Sequence, residues 1–135
     1  MSNEYNDWHY DILTALNAKM WEADFLPEGW TNTFIPEMKK ELADVLGSYV
    51  DDFIVFQIKE KWNELRCYWS WADRCYTYEE SEDIKQISND IECIIDKYTT
   101  ISYHTCVLCG MVVNEWVECG YFAPLCDGCF KIINK

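Results

Sequence analysis

Apolar residues recur every fourth position at the start of the chain, at Trp8, Ile12, Leu16 and Met20. That period predicts an amphipathic helix from Trp8 to Phe25, with Leu13 widening the stripe and Asp11, Asn17 and Lys19 turned to water. Pro27-Glu-Gly29-Trp30 then breaks the helix and reads as a loop. Pro36 suits the first position of a second helix, where its missing N–H costs nothing. Ile35, Met38, Leu42, Val45 or Leu46, and Tyr49 give that helix its apolar face, and Gly47 is its expected stop.

The pattern changes at Phe53-Ile-Val-Phe-Gln-Ile58, a β-branched and aromatic run that is apolar on both faces and so predicts a buried strand. Residues Leu65 to Trp71 alternate, placing Leu65, Cys67, Trp69 and Trp71 on one face and Arg66, Tyr68 and Ser70 on the other. The two runs pair most simply as an antiparallel hairpin. Residues 72–82 read as a loop. The acids Glu79, Glu80, Glu82 and Asp83 then lead into a third helix lined by Ile84, Ile87, Ile91, Ile94, Ile95 and Tyr98. Acids in a first helical turn are favoured by the helix dipole, which suffices to explain that cluster. The expected architecture is α+β: helices packed on a small hairpin (1–100), with a four-cysteine ribbon docked behind them (101–135).

That ribbon carries the chemistry. Cys106-Val-Leu-Cys109 and Cys126-Asp-Gly-Cys129 are two Cys-x2-Cys pairs separated by 16 residues. Each pair places two sulfurs on one tight turn, and two such turns complete a tetrahedron about one ion at roughly 2.3 Å. Gly110 suits the left-handed backbone position that such a turn needs. The spacing therefore predicts a structural Zn2+ held by Cys106, Cys109, Cys126 and Cys129. Four thiolates close the shell and leave no position for a catalytic water. Cys119 is a poorly spaced alternative ligand, and two exchanging dithiols are a lesser reading. Cys67 and Cys93 fall on apolar faces and are expected as small buried hydrophobes. Cys75 has no pair spacing. His104 fits a contact beside the metal site better than a ligand, and His9 has no visible partner.

Composition adds two constraints. Seven Trp, nine Tyr and six Phe exceed the needs of a small core, so some of them are candidates for a contact surface. The net charge of −13 opposes binding to nucleic-acid phosphates and to anionic membranes. The acids crowd the body: nine against three bases in residues 1–50 and twelve against six in 51–100, but three against two in 101–135. The polar, acidic start lacks the features of a signal peptide, and no apolar run has the length of a membrane span. Reduced cysteines in a cytoplasm follow as the expectation, with a secreted disulfide framework as the alternative. No phosphate-binding glycine loop, nucleophile elbow or helical His-Glu pair is present, so an enzyme is not expected. Lys59, Lys61, Arg66 and Arg74 form the one basic concentration, interleaved with Trp62, Tyr68, Trp69 and Trp71 but interrupted by Glu60, Glu64 and Asp73, so salt bridging and packing are its expected role and single-stranded nucleic acid the alternative.

Gln57-Ile-Lys-Glu-Lys-Trp-Asn-Glu-Leu-Arg-Cys-Tyr68, followed by a helix and the two Cys-x2-Cys pairs, resembles small phage and prophage zinc-ribbon proteins. The likeness covers roughly residues 30–130, and it departs where Asn63-Glu64 stands in place of two glycines and where Cys67 enters the second strand. The resemblance implies a phage origin, a bacterial host cytoplasm and no established activity. Small acidic phage proteins of this class often inhibit or redirect host machinery, defence nucleases included. The leading expectation is an interaction protein whose acidic body engages a host protein, itself a nucleic-acid binder. Trp8, Trp21 and Trp30 are the candidate anchors, and Glu79, Glu80, Glu82 and Asp83 the candidate charges. A nucleic-acid-binding ribbon and a self-associating assembly component are the alternatives.

Overall fold

Helix α1 (Ser2–Lys19) buries Ile12 and Leu16 as its period requires, but it ends six residues short of Phe25. The chain tightens instead into a 3-10 turn, Trp21–Phe25, which buries Ala23 while leaving Trp21 and Phe25 outside. Leu26, held extended by the proline that follows, closes this turn (φ −71°, ψ 163°). The computed structural model describes residues 2–62, 64–72, 82–113 and 125–133, with the backbone alone for 2–10 and 133.

Where a loop was expected, Glu28–Thr31 forms a single helical turn, α2, with Gly29 and Trp30 buried. Helix α3 (Phe34–Leu46) follows, with Phe34, Ile35, Met38, Leu42, Ala43 and Leu46 inward and Gly47 ending it as predicted. Pro36 is the third residue of α3 rather than the first, still within the turn whose N–H groups have no intrahelical partner. A second 3-10 turn, Gly47–Asp52, leads into the hairpin.

Strands β1 (Phe53–Lys61) and β2 (Glu64–Trp71) pair antiparallel, from Phe53 opposite Trp71 to Lys61 opposite Glu64. β1 is not buried on both faces. The register shifts between Val55 and Gln57, leaving Phe56 without a partner and 64% exposed at the resulting bulge, while Phe53 and Ile58 stay inside. Glu64 belongs to the strand, so only two residues turn the chain. The first, Trp62, has φ 54°, which costs a non-glycine residue about 1–2 kcal/mol.

Helix α4 (Glu82–Tyr103) lies against both α3 and β2, its acids Glu82 and Asp83 in the first turn. Its Ile91, Ile94 and Ile95 enter the large core that gathers Leu16, Met20, Trp30, Phe34, Met38, Leu42, Phe53, Ile58, Leu65 and Tyr98. Much of the aromatic load is spent there. Trp30 packs on Phe34 at 5.7 Å, Phe34 stacks on Tyr98 at 6.0 Å, and Phe53 meets Trp69 at 5.5 Å. Polar bonds fasten α4 to its neighbours. The Leu65 N–H donates to Ser102 Oγ at 2.8 Å, the Trp69 indole to Glu92 at 2.8 Å, and Lys97 pairs with Glu41 at 2.9 Å. No helix among the described residues is long and apolar enough to cross a membrane.

Candidate metal centre

Helix α4 delivers the chain directly to the first pair of cysteines. Thr105 Oγ1 donates to the Ile101 carbonyl at 2.6 Å, satisfying one of the acceptors left at the helix end. The chain then doubles back. The Cys106 N–H donates to the Met111 carbonyl at 2.8 Å, and the Gly110 N–H to the Cys106 carbonyl at 3.0 Å. Gly110 sits at φ +83°, the left-handed position expected of it. Outside this knuckle Thr105 bridges Val112, and the Val113 N–H donates to the His104 carbonyl at 2.7 Å. His104 Nδ1 lies 3.1 Å from the Val113 carbonyl, so its ring braces the turn and is not among the ligands.

The second knuckle is the start of α5 (Asp127–Ile133). Leu125 is buried, the Phe130 N–H donates to the Cys126 carbonyl at 2.9 Å, and the Cys129 N–H points at Cys126 Sγ at 3.4 Å. The two knuckles converge, and the sulfurs of Cys106, Cys109, Cys126 and Cys129 all lie within 4.8 Å of one another. Cys109 and Cys126 are 3.6 Å apart, well beyond the bond length of a disulfide at about 2.05 Å, and all four are free thiols. Among the described residues this is the one cluster of His, Cys, Asp or Glu able to hold a metal ion.

The sulfurs differ in readiness. Burial works against the thiolate of Cys106, but the N–H groups of Cys109, Cys126 and Leu108 aimed at its sulfur outweigh it and draw the thiol down to about 6. At Cys109 the Met111 N–H favours the thiolate, yet partial burial and the sulfurs of Cys126 and Cys106 leave the group raised. Cys129 is pushed up to about 12, by burial first and then by the other three sulfurs. The Cys106 thiolate forms readily while the Cys109 and Cys129 thiols are held up, and a bound cation would favour the thiolate at its ligands. The donor set is soft, tetrahedral in reach and suited to a thiophilic metal ion. No family model, curated protein or solved structure matches this chain.

The centre is fixed to the body through a contact the sequence did not announce. Gly29 in α2 lies so close to the first knuckle that a Cβ would strike the Cys106 carbonyl oxygen and approach Gly110 N to 2.7 Å and the Val107 carbonyl carbon to 2.8 Å. The Gly29 N–H donates to the Val107 carbonyl at 2.8 Å, and the Trp30 indole N–H to the Thr105 carbonyl at 3.1 Å. A buried glycine beside a tryptophan was the available signal, masked by a Pro-Glu-Gly string that reads as a turn.

Trp30, expected as a surface anchor, is therefore fully buried and is withdrawn from any contact surface. Trp21 is 59% exposed. Glu82 and Asp83 are exposed on the first turn of α4. The Trp8 side chain, Glu79, Glu80, Arg74, Cys75 and Cys119 lie outside the described residues. Cys93 is exposed rather than buried, because it falls on the outer face of α4 beside Glu92. Cys67 is half-buried, its thiol pushed up to about 12 by burial and then by Glu92, which leaves it unreactive.

Proposed function

We propose that this chain is a non-enzymatic interaction protein whose C-terminal module is held by a structural zinc ion and whose acidic body docks a basic partner protein. Zinc is favoured by the donors: four thiolates, with the sulfurs of Cys109 and Cys126 3.6 Å apart, close to the roughly 3.8 Å edge of a tetrahedron with 2.3 Å arms. A closed thiolate shell supplies folding energy and offers no site for an activated water.

The docking reading rests on one observation. Trp21 and Phe25 meet edge to face at 6.0 Å while 59% and 80% exposed, on a turn anchored by buried Ala23 and Leu26. A preformed aromatic pair on a held backbone loses little conformational freedom on binding, which is what makes tryptophan a frequent hot spot. Glu22 and Glu60 line the same groove as the pair, with Lys59, and Asp24 and Glu28 are neighbours in sequence, so acids outnumber bases around the pair and its complement is apolar at the centre and cationic at the edge. With the resemblance to phage zinc-ribbon proteins, the partner class is a basic nucleic-acid-binding protein of the host, a defence nuclease being one example.

The test is capture from nuclease-treated bacterial lysate by the full chain, alongside metal analysis. One zinc per chain is expected, with one stoichiometric protein whose binding weakens steeply with salt. Replacing Trp21 and Phe25 together with alanine should abolish capture at unchanged zinc content and melting temperature. Binding indifferent to both salt and the double substitution refutes the docking surface.

A further inference from the structure

Three of the body's bases, Lys59, Lys61 and Arg66, fall on the hairpin, beside the acids Glu60 and Glu64. Register places Lys59 opposite Arg66, Lys61 opposite Glu64 and Gln57 opposite Tyr68. Cross-strand partners share a face, and so do residues two apart along a strand. Lys59, Lys61, Arg66 and Tyr68 therefore stand together on the side opposite Leu65, Cys67, Trp69 and Trp71, which face the core and α4.

Three features of this hairpin go against local stability. Two cations, Lys59 and Arg66, lie directly opposite one another, an arrangement that disfavours pairing. A tryptophan occupies the left-handed turn position that asparagine or glycine fills without strain. Its indole is 66% exposed, and Tyr68 is 45% exposed on the cationic face. Glu64 relieves only part of this, pairing with Arg66 at 2.6 Å. Compromises concentrated at one exposed tip indicate a function there rather than a packing need.

We propose that the outward face of the β1–β2 hairpin, together with its turn, binds single-stranded nucleic acid, with Trp62 of the turn and Tyr68 of the face stacking on bases and Lys59, Lys61 and Arg66 contacting phosphates. Lysines two apart on a strand are separated by about 6.6–6.8 Å, a spacing that follows an extended phosphate chain. Exposed rings beside cations are the sequence-tolerant means of holding single strands, whereas a duplex hides its base faces. Three acids lie near the face: Glu64 pairs with Arg66 and must give way to a phosphate there, while Glu60 and Glu22 share with Lys59 the groove along the β1 edge. The remaining carboxylates act over distance and are screened beyond about 8 Å at physiological salt. This inference rests on residues other than the Trp21–Phe25 pair, although Lys59 lines the same groove as Trp21 and Phe25.

The test is fluorescence anisotropy of labelled oligothymidylate and oligouridylate with the zinc-loaded full chain. Binding of either single strand is expected with a slope of log affinity against log salt of about −2, the value for three phosphate contacts at −0.7 each. Lys59→Gln with Lys61→Gln should flatten that slope to about −0.7. Trp62→Asn is the decisive variant, since asparagine suits the turn. It should leave the melting temperature unchanged or raise it while weakening binding about tenfold or more, the scale of one lost stack. The proposal is overturned by no anisotropy change up to about 100 μM protein, the weak end of non-specific affinity. It is equally overturned if Trp62→Asn binds as the parent does, if duplex binds as tightly as single strand, or if polyglutamate competes as well as the oligonucleotide.

Discussion

Helix α4 is held by different physics at its middle and at its end. Along its middle, Ile91, Ile94, Ile95 and Tyr98 leave water together with residues from every other element of the body. Past its end, Cys106, Val113 and Leu125 form a separate small cluster. A fully buried apolar side chain contributes about 1.5–3 kcal/mol, while each ordered residue costs about 1–2 kcal/mol of backbone entropy. Many pooled side chains can meet that cost in the body. Three cannot do so for the knuckles, and a metal ion held by the four clustered sulfurs would supply the rest.

Metal removal is the most severe test of this contrast. Binding of roughly 10–16 kcal/mol stabilises small zinc modules, and losing it should unfold the knuckles outright. Hydrogen exchange with and without a strong chelator should show protection lost over 104–113 and 125–133 but kept in α3 and the middle of α4. Loss of protection throughout would show that body and centre fold as one unit, and the contrast would fail.

The seam between the regions gives the next largest effects. Trp30→Ala empties a fully buried site in the body and removes the N–H that satisfies the Thr105 carbonyl. About 3–5 kcal/mol of body stability should disappear, read in a denaturant melt. Gly29→Ala is smaller, about 1–3 kcal/mol, because it forces two backbones apart. Those obstacles are main-chain atoms of Cys106, Val107 and Gly110, so no flexible side chain can yield. The alanine variant should keep its metal while the knuckle loses exchange protection. Unchanged protection would mean the close approach is not what fixes the centre.

These seam residues also mark where sequence reading reached its limit. The four sulfurs were legible because a knuckle is local: two residues separate the cysteines of each pair, and at the first a glycine follows them. The hairpin face was legible because Leu65, Cys67, Trp69 and Trp71 alternate without interruption. Trp30 was not, since a single helical turn has no period to read and its burial depends on a knuckle more than seventy residues away. The bulge at Phe56 escaped for a similar reason: an unpaired residue is a property of two strands together. Cys93 was misplaced because the apolar stripe of α4 is narrower than its composition suggests, leaving Glu92 and Cys93 outside.

The smallest expected effect lies within the body and should be absent from the centre. Glu41 on α3 accepts from the Tyr98 hydroxyl and from Lys97, both on α4. The Tyr98 bond first, and Lys97 second, hold the Glu41 carboxyl below its ordinary value of 4.5. A depressed acid stabilises the fold above its unfolded pKa and ceases to do so as pH falls through the folded one, so this fastening fades below about pH 4.5. Tyr98 is shifted the other way, upward from 10.0, by burial first and then by Glu41. Its contribution is complete below pH 10 and is lost as pH rises through the folded value. Tyr98→Phe should therefore lower stability by about 0.5–1.5 kcal/mol near neutrality, the scale of one hydrogen bond. The difference from the parent should shrink below pH 4.5 and again above pH 10. Melts of the chelated protein report the body alone and are the measurement to make. A difference that stays constant through the acid range would show that α3 and α4 are joined by packing only, and that the Glu41 carboxylate contributes nothing to the join.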